Sequence, residues 1–347
     1  MLNIIHPIHP GKTRRLLPKL LESATIPCYN NNGFMCACLS ARRPSGSAPN
    51  IPLKETFMDK TSKNEGWSSV IRPRKGWFDI DFKGLVRYRD LILLMVKRNF
   101  TILYKQTILG PAWVVIQPFL TTLVFTVVFG NLAGLPTDGV PKFLFYMAGN
   151  IMWHFFAQCL TVTSDTFVKN SKLFGKVYFP RLVMPFATVL TEMINFAVQF
   201  VLFIVFVVIY AAKPDSGVVP NWQLILLTPL MLVQLGLLGL GFGIIISALT
   251  TKYRDLAMLV TFGVHLWMYA TPVTYSASMI ADKYPHLLGL YMLNPITPII
   301  ELFRAAYLGV PRYSYGYNLL SVGVTAAVFM IGVILFSHTE KTFMDTV

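Results

Sequence analysis

Six apolar runs of bilayer-spanning length, each about 20 residues, occupy the chain after residue 111, at about 112–130, 143–162, 183–211, 224–249, 256–273 and 319–336. Short polar stretches divide them. Pro136, Asp138, Gly139 and Pro141 follow the first run, and a basic stretch from Asp165 to Arg181 follows the second. Lys213-Pro214-Asp215 follows the third, and Thr251–Asp255 the fourth. The interval 282–310 reads differently. Leu287–Leu293 and Ile299–Leu308 are apolar but too short to cross, and Asn294-Pro295-Ile296-Thr297-Pro298 divides them. Two prolines forbid one continuous helix there. The pattern predicts two short helices dipping in from one side, with a surface hairpin as the alternative. Non-helical backbone at membrane depth must be buried in protein or line a wet cavity.

Residues 85–109 precede the runs and have an amphipathic pattern. Arg87, Asp90, Lys97, Arg98, Thr101 and Lys105 cluster on one side of a helical wheel, interrupted by Leu94, and the other side is apolar. Such a helix lies flat at a membrane surface. It meets the first run at Gly110-Pro111, and proline suits the first turn of a new helix. Residues 1–57 lack any sustained apolar period and predict a disordered extension, with Met58 an alternative first residue. Residues 58–84 stay polar but carry Trp67, Trp77 and Phe78, a pattern for a segment resting on the interface or on a partner. The predicted class is therefore an all-α membrane protein: six transmembrane helices, an N-terminal interface helix and two re-entrant helices before the last span.

Composition strengthens this reading. Of 347 residues 54% are hydrophobic and 13% charged, too apolar for a soluble protein of this size. The net charge of +14 divides into +11 over residues 1–110 and +3 afterwards. Basic charge beside membrane spans signals a cytoplasmic start rather than nucleic-acid binding. The 165–181 and 251–255 loops are basic and go inside with both termini. The loops holding Lys142 and Lys213 face outward. Cys28, Cys36, Cys38 and Cys159 show neither zinc spacing nor a disulfide framework.

Catalytic patterns are missing from the sequence. It has no phosphate-cradling glycine loop, no nucleophile elbow and no paired histidines on a helix. His154 and His265 stand alone. Any energy for work must then come from elsewhere. On the third run Thr188, Glu192, Asn195 and Gln199 share a face, which suits either a lined pathway or helix–helix hydrogen bonding. Gly236, Gly239, Gly241 and Gly243 mark a close-packing face on the fourth. Trp113, Trp153, Phe155, Phe156, Trp267 and Tyr269 read as an interfacial belt or as a pathway wall on which sugar rings slide. The Asp165–Arg181 loop is a candidate docking site.

Several motifs taken together resemble the type-2 ABC transporter permeases that export polysaccharide. They are Tyr104-Lys105-Gln106-Thr107-Ile108-Leu109-Gly110-Pro111-Ala112-Trp113 with Gln117-Pro118, and Gly149-Asn150-Ile151-Met152-Trp153-His154-Phe155-Phe156. Tyr253-Arg254-Asp255 and Leu293–Glu301 with Phe303-Arg304 complete the set. The likeness covers about 85–340, the expected transmembrane domain. It implies a homodimer in the bacterial cytoplasmic membrane, bound below by two copies of an ABC ATPase that carry ATP and Mg. This chain itself would hold no cofactor or metal and would not be an enzyme.

The resemblance assigns Lys169, Lys172, Lys176 and Arg181 to the ATPase-coupling loop, and Arg87, Lys97, Arg98 and Lys105 to the interface helix. Trp113, Gln117, Trp153, Phe156, Trp267 and Tyr269 become channel-lining candidates. Asn294, Pro295, Pro298, Glu301 and Arg304 belong to the re-entrant region. The implied cargo is a lipid-linked glycan of O-antigen, capsule or teichoic acid type. The alternatives are an ABC exporter of small drugs or lipids and a membrane-embedded sugar transferase.

Overall fold

The computed structural model describes residues 86–346 apart from 106–109, 167–168, 171–172, 174–178, 214–215, 251–254 and 311–314. The expectations for 1–57 and 58–84, and those for Lys172, Lys176, Tyr253 and Arg254, lie outside the described residues. Every regular element among the described residues is helical.

Helix α1, Arg89–Tyr104, lies within the stretch 85–109 expected to be an interface helix, of which 85 and 106–109 lie outside the described residues. Its apolar side does not stay bare. Met95 and Val96 are buried in a small cluster with Phe179, Val183, Met184, Ala187, Leu240, Ile244 and Phe336. Arg87, Lys97 and Lys105 are exposed, whereas Arg98 is only half-exposed.

A 3-10 turn at Gly110–Ala112 leads into α2, Trp113–Phe125, which widens into π-helical turns over Thr126–Leu132. Helix α3, Lys142–Ser164, is followed by α4, Val183–Ala211, which matches its expected bounds. The fourth apolar run is broken. A short α5, Trp222–Ile225, precedes α6, Thr228–Thr250. Pro229 marks the new start, because proline fits the first turn and not a helix interior.

Helix α7, Leu256–Tyr269, stops before Thr271-Pro272, short of the expected residue 273. The residue before a proline is driven out of helical geometry. Then come α8, Ala277–Lys283, a 3-10 turn at Pro285–Leu287, α9, Leu288–Met292, and α10, Ile296–Leu308. The last helix, α11, is Tyr315–Thr346.

Four of these are long and apolar enough to cross a membrane: Trp113–Leu132, α4, α6 and Tyr315–Phe336. Helix α3 has the length, with 23 residues, but is less apolar, carrying Asn150, His154 and Gln158. Most of its surface is covered by protein, so it needs less lipid-compatible surface. Helix α7 has 14 residues. At about 1.5 Å per residue it falls short of a hydrocarbon core about 30 Å thick.

The centre of the bundle is α3 on α6, with α11 on the far side of α6. Glycine permits both approaches: the sequence pattern predicted one close-packing face, and Gly241 turns out to serve a second. A Cβ on Gly239 would stand 2.7 Å from the Cys159 Cβ, and one on Gly243 would stand 2.5 Å from the Thr163 Cβ. On the other side Gly332 meets the Gly241 backbone, where an added Cβ would lie 2.8 Å from the carbonyl oxygen. Close backbone contact of this kind replaces the hydrophobic drive that lipid cannot supply.

Candidate functional site

The segment after α3 continues it by a turn. Lys169 pairs with Asp165 at 2.9 Å, and the Thr166 hydroxyl donates to the Val162 carbonyl at 3.0 Å. The Asn170 amide donates to the Thr166 carbonyl at 2.9 Å. Its oxygen is thereby turned outward, and it accepts from Arg98 Nη2 of α1 at 3.3 Å. Leu173 and Phe179 from the same loop pack in the cluster under α1. Of the expected loop cations, Lys169 and Arg181 are described. Lys169 keeps an exposed ammonium end beside Asp165.

At the opposite end of the bundle α10 is buried almost all round, although it contains two charges. Its start follows from Asn294, whose side-chain oxygen accepts from the Ile296 amide at 3.3 Å and from Trp267 Nε1 at 3.3 Å. The same side chain donates to Thr271 Oγ1 at 3.0 Å. Pro295 precedes the helix and Pro298 sits in its first turn, where no intrahelical N–H is lost. The break expected over 294–298 is found instead at residues 293–295, between Met292 and Ile296. Gly309 ends the helix with φ +76°, and a Cβ there would meet the Val219 carbonyl at 2.7 Å.

Arg304 is fully buried. Its guanidinium donates to Glu301 Oε1 at 3.2 Å, to the Val273 carbonyl at 3.1 Å and to the Phe145 carbonyl at 3.4 Å. It also stacks 3.6 Å from the Phe145 ring centroid. The charge is thus paired, hydrogen-bonded and held against an aromatic face, the conditions under which a buried cation is tolerated. Gly149 makes room for it. A Cβ there would lie 2.7 Å from Arg304 Nη2. Burial pushes the Glu301 carboxyl above its ordinary value, and Arg304 pulls it the other way.

Above this pair Asp138 has left-handed backbone, φ +51°, uncommon for a residue with a side chain. The hydroxyls of Ser276 and Ser278, at the start of α8, donate to its two carboxylate oxygens. The 134–141 loop, α3, the turn after α7 and α10 are thereby tied at one place.

Trp153, Phe156 and Trp267 form one aromatic cluster with Phe242, at centroid separations of 5.2–6.4 Å. Trp153 and Phe156 are buried within the subunit. Their rings are covered by neighbouring helices of this chain. Trp113, Gln117 and Tyr269 are exposed, with Trp113 at 47% and Tyr269 at 52%. The polar stripe of α4 is buried too. Asn195 Nδ2 donates to Glu192 Oε2 at 3.1 Å, and Thr188 donates to the Pro185 carbonyl at 2.7 Å. Both bonds are made within α4 itself, and the stripe as a whole is buried against its neighbours.

Asn150 Nδ2 donates to the Pro118 carbonyl and to Thr122 Oγ1, each at 3.2 Å. Motifs far apart in the chain therefore meet in pairs: Gln117-Pro118 with Asn150, Gly149 with Arg304, Trp267 with Asn294. Sequence reasoning missed Asn170, Asp138, Ser276 and Ser278 as members of these sites. Asp138 beside Gly139 in a turn was the visible signal for the second group. Asn170 offered none.

The sequence model of the ABC-2 type transporter family matches residues 90–308. Two proteins of Klebsiella pneumoniae named O-antigen export system permease protein RfbA are similar to this chain. They are 26% and 25% identical over 257 and 258 residues, which is 74% of this chain and 94% of each of theirs. A Myxococcus xanthus protein of the same name is 30% identical over 224 residues, 64% of this chain and 82% of its own.

Proposed function

Because this chain belongs to the ABC-2 type transporter family, we propose that it is the membrane permease subunit of a polysaccharide exporter, driven by ATP hydrolysis on a separate subunit. The observation that carries the cargo class is the likeness to three O-antigen export permeases along 82–94% of their length. The cargo is a lipid-linked glycan of that type. The chain works as a homodimer with two ATPase copies, in the bacterial cytoplasmic membrane with both termini inside.

In this reading six segments cross, counting α3 and the short α7 with the four strongly apolar ones. Helices α8–α10 form the re-entrant outer region. The 165–181 loop, with Lys169 and Arg181, docks on the ATPase. ATP binding draws two such loops together, and α1 moves with them because it shares their apolar cluster. A path then opens between the subunits. Trp113, Gln117 and Tyr269 are its lining residues, since they are exposed on membrane helices. An exposed amide such as Gln117 is costly against lipid and suits a wet or protein-covered face. Flat aromatic faces give a sliding polymer weak, repeated contacts.

The test is affinity purification of this chain from its native membranes. An ABC ATPase subunit in equal amount is the expected result. Recovery of the chain with no nucleotide-binding subunit would overturn the reading.

A further inference from the structure

The Arg98–Asn170 hydrogen bond joins two parts of the chain 72 residues apart: the interface helix and the loop after α3. We propose that this pair is the positioning link that sets how far α1 moves when the loop is pushed, so that it fixes the export obtained per ATP hydrolysed. The proposal rests on the permease reading above.

Among the described residues an apolar cluster and a hydrogen bond hold α1 to the loop, and they do different things. The apolar cluster of Met95 and Val96 with Leu173, Phe179, Val183 and Met184 supplies cohesion. Apolar contact is non-directional, so α1 can slide or roll on it while keeping most of its burial. A hydrogen bond is directional and weakens steeply with misalignment. Here both ends are fixed. Asn170 spends its amide N–H on the Thr166 carbonyl at 2.9 Å, which orients its oxygen. Arg98 Nη2 is shared between Asn170 at 3.3 Å and its neighbour Asn99 at 3.2 Å. Arg98 as a whole is half-exposed while its Nε is buried without a hydrogen-bond partner among the described residues, so the side chain reaches from the surface down to the loop. These are properties of a register pin in a joint that has to move. Arg98 thus turns away from the surface stripe that its position on the helical wheel suggested.

The experiment uses the complete chain with its co-purified ATPase in vesicles, measuring ATP hydrolysis and outward movement of lipid-linked glycan on the same preparation. In Asn170→Ala and Arg98→Ala, assembly and hydrolysis are expected to persist while export per ATP falls about tenfold, the order expected for losing one hydrogen bond to a charged group. Asn170→Asp loses the bond to the Thr166 carbonyl but offers Arg98 a charged acceptor of the same length, and is expected to retain most of the export. A purely structural role would instead lower hydrolysis, assembly and export together. Wild-type export per ATP in both alanine variants would overturn the link and leave the permease reading standing. Absence of any ATPase bound to the wild-type chain would overturn that reading, and the link with it.

Discussion

Replacing Glu301 by leucine leaves the fully buried Arg304 guanidinium without its hydrogen-bonded counter-ion, with the Asp138 carboxylate the remaining negative charge acting on it among the described residues. The two remaining polar partners are carbonyls of Val273 and Phe145 at 3.1 and 3.4 Å, and these do not neutralise the charge. Removing one partner of a buried ion pair costs about 3–5 kcal/mol. Since every 1.4 kcal/mol is about tenfold in an equilibrium constant, this lowers the folding equilibrium constant by more than a hundredfold. The double variant Glu301→Leu with Arg304→Met removes the stranded charge and fills the space with apolar atoms. It still frees two carbonyls, so it is expected to fall short of wild type, but it should be more stable than Glu301→Leu alone by about 2 kcal/mol. Resistance to heating in detergent, followed by size-exclusion fluorescence together with an unfolding titration, ranks the variants. Additive losses in the double variant, or a loss under about 1 kcal/mol in Glu301→Leu, would refute the stabilising role of the buried Glu301–Arg304 pair.

Two further outcomes come from the same end of the bundle. Gly149→Ala places a methyl 2.7 Å from Arg304 Nη2 and 3.2 Å from the Val273 Cα. Overpacking of that kind costs about 1–3 kcal/mol, and an unchanged melting temperature would contradict the packing described. Asp138→Asn keeps a side chain tolerant of left-handed backbone and an acceptor for one serine, so it is expected to lose about 1 kcal/mol, and Asp138→Ala, which loses both serine bonds, clearly more. Equal melting of the two variants would show that the serine ties contribute nothing.

What could be read from the sequence tracks what apolar length and proline can encode. Helix α4 was legible to the residue because its 29 largely apolar positions end against Arg181 on one side and Lys213 on the other. The start of α6 was misplaced because the apolar run continues through Leu224–Leu227, whereas Pro229 sets the helix start. The end of α7 was overextended in the same way, across Thr271-Pro272. Hydropathy gave α3 the right bounds within two residues but not its surroundings. Whether Trp153 faces a path or a neighbouring helix depends on where Trp267 lies, more than a hundred residues away. The motif residues Gly149 and Arg304 were both visible as letters. That one is small because the other is large is a fact of packing, and no local pattern carries it. The Arg98–Asn170 contact is of the same kind.

ATP-driven glycan transport by this chain and its ATPase can be measured directly. Vesicles containing this chain and its ATPase are supplied with fluorescent lipid-linked glycan on the ATPase side, and its appearance on the opposite side is followed with ATP, without ATP, and with the permease alone. Transfer that requires both ATP and the bound ATPase is the predicted result. Equal transfer by the chain alone, or ATP-dependent hydrolysis that moves no glycan while a small amphipathic drug is exported, would contradict it.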